Sequence, residues 1–372
     1  MRLYLIFGLL ILIQLQGKAQ IIGPNHSFTF GPILGAHAYE DQNHLIQDRI
    51  YGFNAVYSNN ISKNKAPWVA ALGAKSFGVA LNFRDLSRLK GAKDLAENSF
   101  GKVIGLSAQL ELGLINFKKV SLNFYPSIGL AYTNKSYFNH PNNIILGTNI
   151  NYNLSANIGL EIPANQNNAV LLGFGFYHLS NGGMKIPNGG LNTVQVYLGL
   201  KHANLNPKKN SSESVYLPHQ KNTFEWMLGF GKRGVYQQKH QSLYRGGFYA
   251  GYNFFYNNVI SFKAGLDAVY YFKTYDSNNP TATMQYYGTS YDKLRLGASA
   301  GVDLQIWRLS ITSQFGKYVH FNSFYDQIKW YWTFGPTYNI TPKIGFSIKS
   351  YMHKTQADYI NFGIVLRKFI HL

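Results

Sequence analysis

From Ser27 to the C-terminus, apolar and polar residues alternate with a period of two, the pattern of strands with one apolar and one polar face. Between 260 and 273, Ile260, Phe262, Ala264, Leu266, Ala268, Tyr270 and Phe272 share one face, and Ser261, Lys263, Gly265, Asp267, Tyr271 and Lys273 the other. Between 293 and 306, Leu294, Leu296, Ala298, Ala300, Val302, Leu304 and Ile306 oppose Lys293, Arg295, Gly297, Ser299, Gly301, Asp303 and Gln305. Helical spacing is nearly missing. The alternation predicts sixteen strands, at 27–36, 49–58, 68–83, 103–115, 120–132, 145–161, 168–180, 191–202, 222–231, 242–255, 258–273, 293–306, 309–320, 327–338, 343–351 and 357–369.

Most of these strands are longer than the roughly five or six residues usual in a soluble sandwich. Tilted strands of about 9–11 residues are what a bilayer demands of a barrel, with aromatics at the strand ends, apolar side chains outward and polar ones in the lumen. Loop lengths agree. Connections after odd strands are mostly long (Ala38 to Gln47, Arg84 to Lys102, Asn134 to Asn143, Thr274 to Asp292), and those after even strands mostly tight (Phe117 to Lys119, Tyr256-Asn257, Trp307-Arg308, Ile340 to Pro342). Short turns on one side and long external loops on the other are the asymmetry of outer-membrane barrels. Two places resist. The third strand changes phase between Ala74 and Phe77, which implies a bulge or an extra turn. The polar connection from Ala203 to Lys221 is long for an internal turn. The expected fold is therefore an all-β transmembrane antiparallel barrel of about sixteen strands spanning 20–372. The alternative is an eight-stranded unit plus a second β unit, with the boundary in the linker 203–221.

Residues 1–19 read Met-Arg, an apolar run from Leu3 to Leu15, then Gly17-Lys18-Ala19, the plan of a signal peptide. With the barrel pattern this implies export to the outer membrane of a Gram-negative bacterium. The chain holds 372 residues and no cysteine, which excludes disulfide scaffolds, cysteine-ligated zinc sites and thiol chemistry. Its formal charge of +19 is scattered rather than gathered into basic runs, so it speaks for phosphorylated lipid headgroups and against nucleic acid. The other histidines show no metal-ligand spacing, and no metal or cofactor is expected.

One segment differs, Gly175-Phe176-Tyr177-His178-Leu179-Ser180-Asn181-Gly182-Gly183-Met184-Lys185-Ile186-Pro187-Asn188-Gly189-Gly190-Leu191-Asn192. In a strand, positions i and i+2 share a face, so His178 and Ser180 point the same way, as a general base and a serine nucleophile must. Val170, Leu172, Phe174 and Phe176 place that face toward lipid, and Asn192 is in phase with Val194, Val196, Leu198 and Leu200 on the next strand. Polar groups beside hydrocarbon are costly unless paired, which makes these three a functional hypothesis.

His178-Leu179-Ser180-Asn181-Gly182-Gly183, with Pro187-Asn188 and a polar residue on the following strand, resembles the active-site signature of the lipid A 3-O-deacylase (PagL) family of outer-membrane barrel esterases. The resemblance covers roughly 170–200, and it would make the alternative eight-stranded unit a PagL-like barrel. It implies a carboxylic ester hydrolase acting on lipid A or lipopolysaccharide in the outer leaflet and removing a 3-O-linked acyl chain. Ser180 would be the nucleophile and His178 the base, with Asn181, Gly182 and Gly183 forming or supporting the oxyanion hole and Asn188 supporting the loop. Asn192 stands where the family pattern has a glutamate, which leaves a pseudoenzyme open. A homodimer is also left open. The strand carboxylates Glu111, Glu161, Glu225, Asp267 and Asp303 fall on the lumen phase, so none replaces the glutamate. The competing class is a non-catalytic barrel, either a porin-like channel or an adhesin or scaffold, whose lumen would be lined by Lys263, Asp267, Arg295 and Asp303.

Overall fold

The computed structural model describes residues 25–37, 49–89, 100–118, 120–203, 221–273, 293–321, 328–354 and 356–370. The leader at 1–19, the loops Ala38 to Gln47 and Thr274 to Asp292, and most of the linker after Ala203 lie outside them. Among the described residues sixteen strands form. The first eight are β1 His26–His37, β2 Arg49–Asn60, β3 Ala74–Asp85, β4 Lys102–Asn116, β5 Ser121–Thr133, β6 Ile150–Pro163, β7 Asn168–Ser180 and β8 Leu191–Ala203. The second eight are β9 Thr223–Val235, β10 Gln238–Phe255, β11 Ile260–Tyr271, β12 Leu294–Ile306, β13 Leu309–His320, β14 Trp330–Asn339, β15 Ile344–His353 and β16 Gln356–Phe369.

The strands close as two barrels of eight and not as one of sixteen. Strand β8 pairs antiparallel with β1, Leu200 opposite Phe30, and β16 pairs with β9, Phe362 opposite Phe230. The second of the two expected arrangements is thus the one adopted. The physical reason is that either closure pairs every strand edge and exposes the same outward face, so alternation cannot separate them. The phase break in the third strand has a local cause. A helical turn α1, Pro67–Ala71, fills the connection from β2, the strand begins only at Ala74, and its pairing with β4 slips between Ala74 and Ser76.

The outward faces are mainly apolar, with Leu106, Phe174, Leu200, Leu228 and Leu266 among the exposed side chains. Exposed aromatics stand near both ends of the strands, Tyr51, Tyr132, Tyr244 and Trp330 at one and Phe117, Tyr256 and Trp307 at the other. That is the girdle arrangement of a barrel in a bilayer.

Inside, eight strands leave room only for side chains. Lys201 Nζ lies 3.0 Å from Glu111 and 2.8 Å from Glu161 in the first barrel. In the second, Lys263 Nζ lies 2.6 Å from Glu225 and 3.3 Å from Asp303. Asp267 accepts from Lys349, Tyr351, Tyr331 and Ser299. A cavity of about 50 Å³ remains in the first lumen, space for a water or two.

Candidate active site

Strand β7 sorts its residues by parity. Leu171, Tyr177 and Leu179 are buried toward the lumen, while Leu172, Phe174 and Phe176 are exposed outside, and His178 and Ser180 complete the outward series half-buried at the rim. The inward side is anchored in an apolar plug of Tyr177, Leu179 and Leu191 with Leu86, Phe100, Val103 and Leu146. Arg84 stacks 3.5 Å over the Tyr177 ring and donates to Gln195 at 2.8 Å. The packed interior therefore fixes the register of the polar residues on the outside.

Across the β7–β8 pair, His178 lies opposite Asn192, and the ring Nδ1 is 2.6 Å from Asn192 Oδ1. An amide oxygen only accepts, so the ring donates from Nδ1 and keeps the Nε2 lone pair for another proton. Ser180 Oγ receives two donors, Asn188 Nδ2 at 2.9 Å and the Gly182 N–H at 3.1 Å. Gly190, at φ +76°, lies between the two side chains. A Cβ there would stand 3.3 Å from His178 Cε1 and 3.8 Å from Ser180 Cβ.

The loop after Ser180 is built around the buried Asn181. Its Oδ1 accepts from the Gly183 N–H at 2.9 Å, its Nδ2 donates to Lys185 O at 3.1 Å, and its own N–H reaches Asn188 Oδ1 at 3.4 Å. Gly182 and Gly183 have φ of +63° and +81°, a left-handed pair that favours glycine. Of the expected supporting groups, Gly182 and Asn188 converge on the serine oxygen. Asn181 braces the loop, and the Gly183 N–H is spent on that brace.

Comparison with known proteins divides the chain at the same place as the sheets. A model described as "Lipid A 3-O-deacylase (PagL)" matches residues 104–201, and one described as "Acyloxyacyl hydrolase, C-terminal domain" matches 222–371. The chain is similar to the PagL family over its first barrel. No curated protein matches it. Among solved structures it is similar to a de novo designed transmembrane β-barrel, at 10% identity over 48% of this chain and 96% of that one, with a TM-score of 0.24. It is also similar to the toluene transporter TodX of Pseudomonas putida, at 9% identity over 93% and 90% of the two chains, with a TM-score of 0.18. A third similarity is to the outer membrane protein Omp33 of Acinetobacter baumannii, at 9% identity over 93% and 100%, with a TM-score of 0.17. Likenesses this weak carry no weight.

The lumen carboxylates stay apart from His178. Glu111, Glu161, Glu225, Asp267 and Asp303 are all buried inside the barrels among the cations and hydroxyls named above. Two features escaped sequence reasoning. Asp358 forms a buried cluster with Arg233, Arg245 and Arg295, at 3.9, 4.0 and 3.3 Å, drawn from four different strands. No local spacing signals such a set. The second feature is where the Ser180 loop rests: Gly183 O accepts the Gly234 N–H of the second barrel at 2.8 Å.

Proposed function

We propose that the chain is an outer-membrane serine esterase that removes a 3-O-linked acyl chain from lipid A in the outer leaflet. The observation that carries this reading is the outward trio. His178, held by Asn192, shares a lipid-facing strand face with Ser180, whose oxygen is already the target of two hydrogen-bond donors. An ester among acyl chains reaches such a serine by lateral diffusion without leaving the membrane. The apolar outward faces, the aromatic ends and the match of the first barrel to the PagL family support the outer-membrane placement.

In the reaction, Ser180 Oγ attacks the ester carbonyl as its proton passes to His178 Nε2. The Gly182 N–H and Asn188 Nδ2, which donate to Oγ at rest, would turn to the former carbonyl oxygen as it takes up the charge. The tetrahedral intermediate collapses, and the sugar hydroxyl leaves with the proton from His178. Water, deprotonated by the same ring, then attacks the acyl-enzyme and releases a fatty acid and the free serine. Asn192 orients the ring through its carbonyl oxygen and supplies no full charge to the imidazolium.

The channel reading has little to draw on. Both lumens are crossed by ion pairs, and a cavity of about 50 Å³ is no aqueous passage. The deciding experiment is mass spectrometry of lipid A from cells expressing wild type or Ser180→Ala, both shown to reach the outer membrane folded. Loss of one hydroxyacyl chain in the wild type alone is the expected result. Identical lipid A in both, with both barrels folded, would identify a pseudoenzyme or scaffold.

A further inference from the structure

The loop that carries the serine is held from two sides. Within the first barrel, the Gly189 and Gly190 N–H groups donate to Ile144 O at 3.3 Å and Ile145 O at 3.0 Å. From the second barrel, the Gly234 N–H donates to Gly183 O at 2.8 Å and the Gln237 N–H to Ile186 O at 3.0 Å. Ile186 and Tyr236 form an isolated parallel bridge, and Lys185 Nζ donates to Lys239 O. The β9–β10 end thus adds a short stretch of backbone pairing to the catalytic loop.

The fit at this seam leaves no slack. A Cβ on Gly234 would meet Lys185 Cα at 2.6 Å and Ile186 N at 2.8 Å, and one on Gly182 would meet Ile360 Cδ1 of β16 at 2.1 Å. Beneath Gly183, Arg233 donates to the carbonyl oxygens of Ala357 and Asp358, which ties β9 to β16 where the loop lands. Gly182 supplies an N–H to Ser180 Oγ, so a seam that sets the position of Gly182 also sets a donor of the reaction.

The same seam gathers cations. Lys232 lies opposite Ile360 in the β9–β16 register, on the outward series with Leu228 and Phe230, and Ile360 abuts Gly182. Lys239 is linked to Lys185 through its carbonyl. Burial first, and then the fields of Lys232 and Lys239, lower the pKa of Lys185, in keeping with the strand register and the Lys185–Lys239 contact. Clustered cations at the headgroup level are a seat for anionic oxygens.

We propose that the second barrel is the other half of the esterase site. Its β9–β10 and β15–β16 ends clamp the Ser180 loop so that Gly182 and Asn188 aim at Oγ. Its Lys232 and Lys239 join Lys185 as a seat for the phosphates of a phosphorylated glycolipid. The proposal deepens the deacylase reading and rests on it for the catalytic consequence alone.

The test uses the full-length protein refolded in lipid-containing micelles. Gly234→Ala drives a methyl group into the loop, and Gly246→Ala, where a Cβ meets only the Phe272 ring at 3.7 and 3.9 Å, is its control on the neighbouring strand. Hydrogen exchange of the amides of residues 182–190 is expected to quicken about tenfold in Gly234→Ala, with kcat down about tenfold or more and KM within twofold. Gly246→Ala is expected to match wild type in both. Exchange unchanged by Gly234→Ala overturns the clamp, and faster exchange with kcat untouched overturns its catalytic role.

The lysine seat is read by binding on a Ser180→Ala background, with bisphosphorylated and dephosphorylated lipid A as probes. Lys232→Gln with Lys239→Gln is expected to weaken binding of the phosphorylated probe about fivefold per lysine and to leave the other unchanged. Equal loss on both probes, or none, overturns the seat. If wild type shows no Ser180-dependent turnover, the deacylase reading fails and the kinetic role with it, while exchange and binding still decide the clamp and the seat.

Discussion

In the first barrel the polar groups of chemical interest, His178, Ser180 and Asn192, stand on the outside of the wall. In the second the dense polar groups, Glu225, Asp267 and Asp358 with their cations, are all inside. Both barrels have eight strands, mainly apolar exteriors and paired charges in the lumen, so the difference is the polar set that the first also carries on the outside of its wall. A lumen of eight strands must be filled, and charges placed there are tolerable because each finds partners, as Asp267 finds four. Such groups account for themselves structurally. A histidine, a serine and an asparagine in register on an apolar outer face gain nothing for the core. In a barrel, burial with full pairing marks scaffolding, and an outward polar set marks a site.

The largest expected effect removes the outer half of that contrast. Ser180→Ala lowers lipid A hydrolysis about 10³-fold or more while thermal unfolding stays as in the wild type, a combination read from a mass-spectrometric time course beside a melting curve. The inner half breaks next. Asp267→Ala strips its acceptor from Lys349, Tyr351, Tyr331 and Ser299 and leaves a buried ammonium unpaired, a cost of about 3–5 kcal/mol. Urea unfolding followed by tryptophan fluorescence reports it, because four of the five tryptophans, Trp226, Trp307, Trp330 and Trp332, belong to the second barrel or its turns, with Trp68 in the first. An unchanged midpoint would mean that the inner network is dispensable.

Asn188→Ala removes one of the two donors on Ser180 Oγ and is expected to lower kcat about 10²-fold with little change in KM. A change confined to KM would instead make Asn188 a binding group. The smallest effect sharpens the comparison. Asn192→Glu brings a carboxylate from the lumen type of chemistry to the outer face and is expected to raise kcat about tenfold by stabilising the imidazolium. No gain would show that the amide is the working partner of His178.

Much of this was legible in the chain. The expected 168–180 and 191–202 became Asn168–Ser180 and Leu191–Ala203, because in a strand the face of a residue follows from its parity alone. That local rule also placed His178, Ser180 and Asn192 outside and the five strand carboxylates inside. It failed where other local chemistry intervened. Pro67 starts a helical turn inside the expected third strand, and β6 begins at Ile150 rather than at 145, because residues from Tyr137 to Thr148 fold back as a loop with Tyr137 N–H bonded to Leu146 O. The distribution of roles in the Ser180 loop was only half legible. The resemblance assigns Asn181 to the oxyanion hole and Asn188 to loop support, whereas their hydrogen bonds make Asn181 the brace and Asn188 the donor on Oγ.

By itself the sequence determined the strands, their faces and the outward placement of the His178, Ser180 and Asn192 trio, since each depends on residues only a few positions apart. Tertiary structure alone decided that β8 returns to β1 instead of passing to β9, that three arginines meet at Asp358, and that Gly234 holds Gly183. Those outcomes pair groups tens to hundreds of residues apart through backbone edges and buried charges that any strand can offer. No local pattern encodes which partner such an edge will find, and the choice is made only when the whole barrel closes.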